Sequence, residues 1–226
     1  MSLQSILAIT ETVSINDHKF AGQMLSRNMR ISTSEILTVQ PFQFTLKPMG
    51  YLQYSTNRAV LSALRIADRI TEQYLNFGTT GWINYIAYQG DMTSGQANST
   101  TIEVGTSGMN IVLGTLPSIA TTDYIVRTGD FIQVDRYSYI ATADVQRGLI
   151  STVTIPVHRT VMTTVVSQLP AVIGQYGTTT SLGGSTYTGI TFPVVLREYP
   201  TYSLVPMTND SFIAWDGSFN AYEVVL

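Results

Sequence analysis

At 226 residues, with a net charge of −3 and only 12 % charged side chains, the chain is long enough for one large core or two small ones. It lacks the clustered Lys and Arg of a phosphate-gripping surface, with seven Lys/Arg against six Asp/Glu over residues 1–100 and five against nine over 101–226. Without cysteine it forms no disulfide or thiolate metal site, and no run reaches the ~18 apolar residues of a membrane span.

In chain order, loose alternation of Leu3, Ile6, Ile9, Val13 and Ile15 predicts a half-buried strand over 3–15, ended by Asn16-Asp17. The opening MSLQSILAITETV has no basic leader, so a soluble protein made in a cytoplasm is expected. Residues 17–36 hold Lys19, Arg27 and Arg30 among few core-like positions, a pattern for a protruding loop or hairpin. Strict alternation returns over 37–46 through Val39, Phe42, Phe44 and Leu46, with Pro41 favouring an edge or a bulge. The stretch 56–77, TNRAVLSALRIADRITEQYLNF, is the one segment with sustained helical spacing: Val60, Leu64, Ala67 and Tyr74, flanked by Leu61 and Ile70, form an apolar stripe. Ser55 or Thr56 is the expected cap and Gly78 the terminator.

Residues 81–88, GWINYIAY, predict another strand. Turn formers over 89–100 carry no periodicity and mark a boundary. Short strands follow at 101–104, 110–113, 124–127, 131–134, 138–143 and 151–158, a compact all-β unit. Gly183-Gly184 fits a tight hairpin turn. The strands expected over 190–206 and 212–226 have no partners in the middle unit and are assigned to pair with residues 1–88. The expected organisation is a mainly β protein: a main domain from 1–88 plus 163–226, carrying helix 56–77, with 89–162 inserted as an all-β domain, a long loop being cheap to close.

Three phrases carry a resemblance: GQMLSRNMRISTSEILTVQPFQFTLKP before the helix, RTGDFIQVDRYSYIATADVQRG leading to TVTIPVHR, and the ending FNAYEVVL. In texture and order these resemble minor tail proteins of tailed bacteriophages, the ring-forming distal tail, tube-initiator or baseplate hub proteins; the phrase from Gly129 to Gln133 is the most specific piece. The resemblance implies a tail-tube-like β-sandwich or barrel with a flanking helix, assembled as a hexameric ring at the junction of tube and baseplate. It implies a virion protein assembled in the host cytoplasm, whose partners are its own copies and adjacent tail-tube and baseplate proteins. DNA passes through the channel without specific binding, and no membrane is involved. Met24, Leu25, Arg27 and Arg30 are the interface candidates in this reading.

No enzymatic role is expected, and no catalytic residue, metal ligand or cofactor is assigned. His18 and His158 lack the neighbouring carboxylates of a metal or catalytic set and suit an exposed turn and a strand end. Asp130, Asp135 and Asp144 are too sparse for a calcium loop and suit turn capping. The Gly-rich stretches 105–108 and 174–184 have neither a following helix nor a Walker lysine. Asn98 and Asn209 match glycan acceptors, which are expected to be coincidences where no secretory signal is read. The alternative is a carbohydrate- or host-receptor-binding module, or a capsid-associated protein, with Tyr137, Tyr139, Tyr199 and Tyr202 as a stacking platform. Against it, tyrosine serves cross-strand contacts and interfaces equally well. Trp82 and Trp215 are expected in strands as core or interface anchors.

Overall fold

The computed structural model describes residues 4–17, 21–25, 31–35, 41–66, 71–78, 81–178, 182–198 and 201–225. The chain is mainly β, in antiparallel sheets. It divides into two compact units, Met1–Tyr74 with Val194–Leu226, and Leu75–Pro193. The second unit is wider than the expected 89–162: residues 75–88 and 163–193 belong to it rather than to the first. Aromatic packing explains the difference. Phe77 meets Phe192 edge to face at 5.8 Å, Phe192 meets Phe131 at 6.1 Å, and Tyr85 tilts against Phe131 at 5.0 Å, so both flanking stretches join the middle in one core.

The first unit opens with α1 (Gln4–Leu7) and β1 (Thr10–Asn16). The strand expected over 3–15 starts late because a helical turn precedes it, closed by the Thr10 hydroxyl donating to the Ile6 carbonyl at 2.8 Å. Within the expected loop or hairpin of 17–36, β2 (Ala21–Leu25) pairs antiparallel with β3 (Ile31–Glu35). In β4 (Gln43–Pro48) the alternation is kept: Phe44, Leu46 and Pro48 are buried and Gln43, Thr45 and Lys47 are not, with Phe44 opposite Ile15 and Leu46 opposite Val13. Next come β5 (Leu52–Gln53) and α2 (Tyr54–Ile66).

The helix expected over 56–77 is thus corrected at both ends. It starts two residues earlier, and 73–76 form strand β6 (Gln73–Asn76); Ala67 and Ile70 lie outside the described residues. Leu61, Ala63 and Leu64 are the buried face of α2. In β6 the apolar spacing serves a sheet, where Leu75 is fully buried and Asn76 Nδ2 donates to the Thr191 hydroxyl at 2.7 Å. Ser55 is not the cap but lies inside the first turn. Its hydroxyl donates to Asp210 Oδ2 at 2.6 Å and its N–H to Oδ1 at 3.3 Å, so a distant carboxylate supplies the anionic cap that a helix start favours. Gly78, expected to end the helix, instead passes so near the Thr188 carbonyl that no Cβ fits there.

In the second unit, α3 (Ile83–Ile86) replaces the strand expected over 81–88, and α4 (Ser94–Ser99) occupies the boundary stretch 89–100. The unit is therefore not all-β. α4 starts in a capping box: the Gln96 N–H donates to Thr93 Oγ1 at 3.4 Å and the Thr93 N–H to Gln96 Oε1 at 2.8 Å. Among the described residues nine strands follow: β7 (Thr101–Ile102), β8 (Asn110–Gly114), β9 (Tyr124–Val126), β10 (Phe131–Val134), β11 (Tyr137–Ile140), β12 (Val145–Gln146), β13 (Val153–Pro156), β14 (Leu169–Pro170) and β15 (Val172–Ile173). They pair in the orders β13–β8–β7–β14, β11–β10–β15 and β12–β9. Ile102, Ile111, Leu113, Ile125, Ile132 and Ile155 are fully buried between them.

The chain returns through β16 (Thr191–Leu196), β17 (Tyr202–Pro206), β18 (Ser211–Trp215) and β19 (Phe219–Glu223). As expected from the sequence, β19 pairs with the N-terminal strand β4, Ala221 opposite Phe44. One sheet runs β1–β4–β19–β16–β6, and a smaller one runs β17–β18–β5. The chain passes from the first unit to the second within β6 and back within β16. At the predicted hairpin turn, Gly183 and Gly184 have φ of 56° and 83°, and Leu182 and Ser185 exchange backbone hydrogen bonds of 2.8 and 3.0 Å.

Three carboxylates sit below their usual pKa: Asp210, half-buried, through the Ser55 hydroxyl, and the exposed Asp91 and Asp144 through the Tyr124 N–H and the Thr128 N–H. Depressed acids stabilise the fold above their unfolded value, about 3.9, and lose that contribution as pH falls through the folded values. Asp130 is raised by burial and acts oppositely, losing stability as pH rises through its raised value. The expected result is a Tm that falls below about pH 4, with Asp210→Ala flattening the fall, as read by a pH series of thermal melts.

Candidate functional site

Among the described residues, those singled out from sequence do not assemble into a reactive centre. Asp130 accepts the Gln89 N–H and the Arg127 N–H, both at 2.8 Å; Asp144 accepts the Thr128 N–H at 2.7 Å; and Asp135 sits at φ 55° in the tight turn between β10 and β11. Asp144, and Asp130 through Arg127, hold turns as expected, while Asp130 also ties the chain to Gln89 across 41 positions. His158 Nδ1 accepts the Ile140 N–H at 3.0 Å, so that nitrogen is engaged by the backbone. His18 lies outside the described residues. No group of three His, Cys, Asp or Glu suited to a metal ion occurs among the described residues.

Tyr137 and Tyr139 are buried in the second unit's core, and the Tyr139 hydroxyl accepts the Met162 N–H at 2.9 Å, so neither offers a face for stacking on a sugar. Tyr199 lies outside the described residues. Asn98 Oδ1 accepts the Gly177 N–H at 2.6 Å. Trp82 precedes α3 rather than lying in a strand. Met24 and Leu25 fall in β2, opposite Ser32 and Ile31, whereas Arg27 and Arg30 lie outside the described residues.

A surface feature that the sequence reading did not find lies in the first unit. The sheet β17–β18–β5 borders a cavity of about 290 Å³ lined by Gly50, Tyr51, Val205, Phe212, Ile213, Ala214 and Trp215. Register divides the sheet into two faces: Val205 lies opposite Phe212 on one, with Ala214 beside them, whereas Tyr202 and Trp215 pair on the other, where Tyr202 lines a cavity with Tyr54, Arg58 and Leu61 of α2. Trp215 also walls a second cavity with Glu11 and Lys47, which pair at 3.0 Å and leave that side neutral. The Trp215 ring meets Tyr202 at 5.4 Å, and its enclosed indole N–H has no hydrogen-bond partner among the described residues.

Tyr51 is the most telling residue. Its side chain is 85 % exposed, its ring stands edge-on to Phe212 at 6.3 Å, and its φ is 58°. A bulky residue in the left-handed region is strained by about 1–3 kcal/mol and persists only where surrounding structure holds it. Val205, 49 % exposed, lies on the same face as Phe212 and extends the apolar surface onto β17. Such an ordered apolar patch, with a strained aromatic and an unsatisfied indole at its edge, suits contact with another macromolecule. Compared with known proteins, the sequence matches no family model and no curated protein significantly.

Proposed function

We propose that this chain is a structural subunit of a bacteriophage tail, assembling with its own copies as a hexameric ring at the junction of tube and baseplate, around the channel through which DNA passes. The observation that carries the reading is the Tyr51 cavity on the β17–β18–β5 sheet: the fold keeps an ordered apolar surface, strained at Tyr51, that its own cores do not use. The phrases that resemble minor tail proteins supply the place in the particle. The net charge of −3 and scarcity of Lys and Arg fit a wall past which phosphates slide without being held. In this reading the protein works by architecture, with no catalytic group or cofactor, and its other partners are the adjacent tail-tube and baseplate proteins.

Contacts of a ring are heterologous: one patch on each copy meets a different patch on the next, and the chain of contacts closes when the rotation allows. The test is the mass of the purified protein by light scattering over a range of concentrations. The expected species has about six times the chain mass of 24.8 kDa. A mass of one chain at every concentration contradicts self-assembly.

A further inference from the structure

The second unit presents a second exposed apolar feature, at a turn rather than on a sheet. Between β12 and β13, Leu149 is 92 % and Ile150 64 % exposed, two adjacent branched side chains at the tip. The turn is built to hold its shape. The Arg147 N–H donates to the Asp123 carbonyl at 2.8 Å and the Gly148 N–H to the Thr121 carbonyl at 3.1 Å, while Gly148 supplies the left-handed φ of 60°. The Arg147 side chain reinforces it: Nε donates to the Pro117 carbonyl at 3.0 Å, and Nη1 donates to the carbonyls of Gly148 and Ile150. A guanidinium that holds three carbonyls around one turn leaves two exposed aliphatic side chains pre-ordered, which lowers the entropy lost when a partner covers them.

The cavity described above has the matching properties. It is walled by Val205, Phe212, Ile213 and Trp215, and its volume of about 290 Å³ accommodates branched aliphatic side chains. Charge matches as well. Arg147 meets carbonyl oxygens and makes no ion pair among the described residues, and Asp216, next to Trp215 and exposed, makes none either. A positive base beneath the tip and a negative rim at the cavity orient the two surfaces and disfavour the reversed docking.

We propose that the Leu149–Ile150 turn of one copy seats in the Tyr51–Trp215 cavity of a second copy, with Arg147 facing Asp216. A knob and a hole on the same chain give a heterologous contact that repeats from copy to copy and closes as a ring when the rotation allows. The inference rests on the ring reading and specifies its contact.

The chain has no cysteine, so thiol chemistry reports only on introduced positions. Leu149→Cys and Val205→Cys are made as separate, differently tagged proteins; both sites are exposed, and unchanged circular dichroism and Tm verify folding. The two are mixed and treated with a short bis-maleimide cross-linker. The expected result is a mixed dimer in at least about tenfold excess over either like-with-like dimer, because the contact raises the local thiol concentration. Assembly by light scattering without that excess overturns the tip-in-cavity contact and leaves the ring reading standing. Absence of both assembly and cross-link overturns the two together.

Discussion

Gln133→Leu is expected to destabilise the protein by about 3 kcal/mol or more, a fall in Tm of roughly 6–12 °C for a chain of this size. Gln133 lies in β10 with its side chain fully enclosed, where a polar amide is costly unless satisfied. Both ends are satisfied by one residue: Nε2 donates to the Thr191 carbonyl at 3.0 Å and Oε1 accepts the Thr191 N–H at 2.9 Å. The side chain thus acts as a strand neighbour to Thr191. Leucine keeps the volume and removes both bonds, leaving a buried donor and a buried acceptor at Thr191. A melt within about 2 °C of the parent contradicts the bidentate role.

Val205→Asp is expected to leave the monomer folded and to dissolve the assembly. Val205 is half-exposed on an edge strand and lines the cavity, so a carboxylate there remains hydrated in the free chain and is buried unpaired in the contact. A hot-spot residue contributes about 2 kcal/mol or more, near thirtyfold in affinity at each contact, and a closed ring loses that amount at every interface. Light scattering of Val205→Asp beside Thr186→Asp, an exposed control position, reads the effect. Equal masses for the two variants remove the β17 surface from the interface.

What was legible in the sequence follows the range of the forces involved. Alternation in Phe44 and Leu46 reports a half-buried strand, because burial repeats every second residue there, and the structure keeps it. The glycine pair at 183–184 announces its turn through φ alone. Asp130 and Asp144 cap turns 3 and 16 residues away, close enough to be expected, although Asp130 also reaches Gln89 across 41 positions. The failures have longer reach. Tyr74 and Phe77 satisfy helical spacing, yet this stretch becomes β6 because Asn76 finds its partners more than a hundred residues away at Thr188 and Thr191. The start of α2 is set by Asp210 across 155 positions, which no local cap signal reveals.

The stretch 81–88 is a short apolar run whose composition fits strand or helix equally, and α3 forms where Tyr85 packs into the aromatic cluster and Ile86 is buried. The helix α4 carries a readable signal in Thr93 and Gln96, a capping box inside a stretch of turn formers. The cavity was not readable at all. Tyr51, Val205 and Trp215 come from separate segments, and an exposed aromatic looks like a core one until register places it.

The most direct measurement of the central claim is negative-stain imaging of the largest species in purified protein, averaged without imposed symmetry. Six-fold class averages with an open centre are the predicted result. Class averages of a compact particle with no central opening, or of an open filament that never closes, contradict the ring.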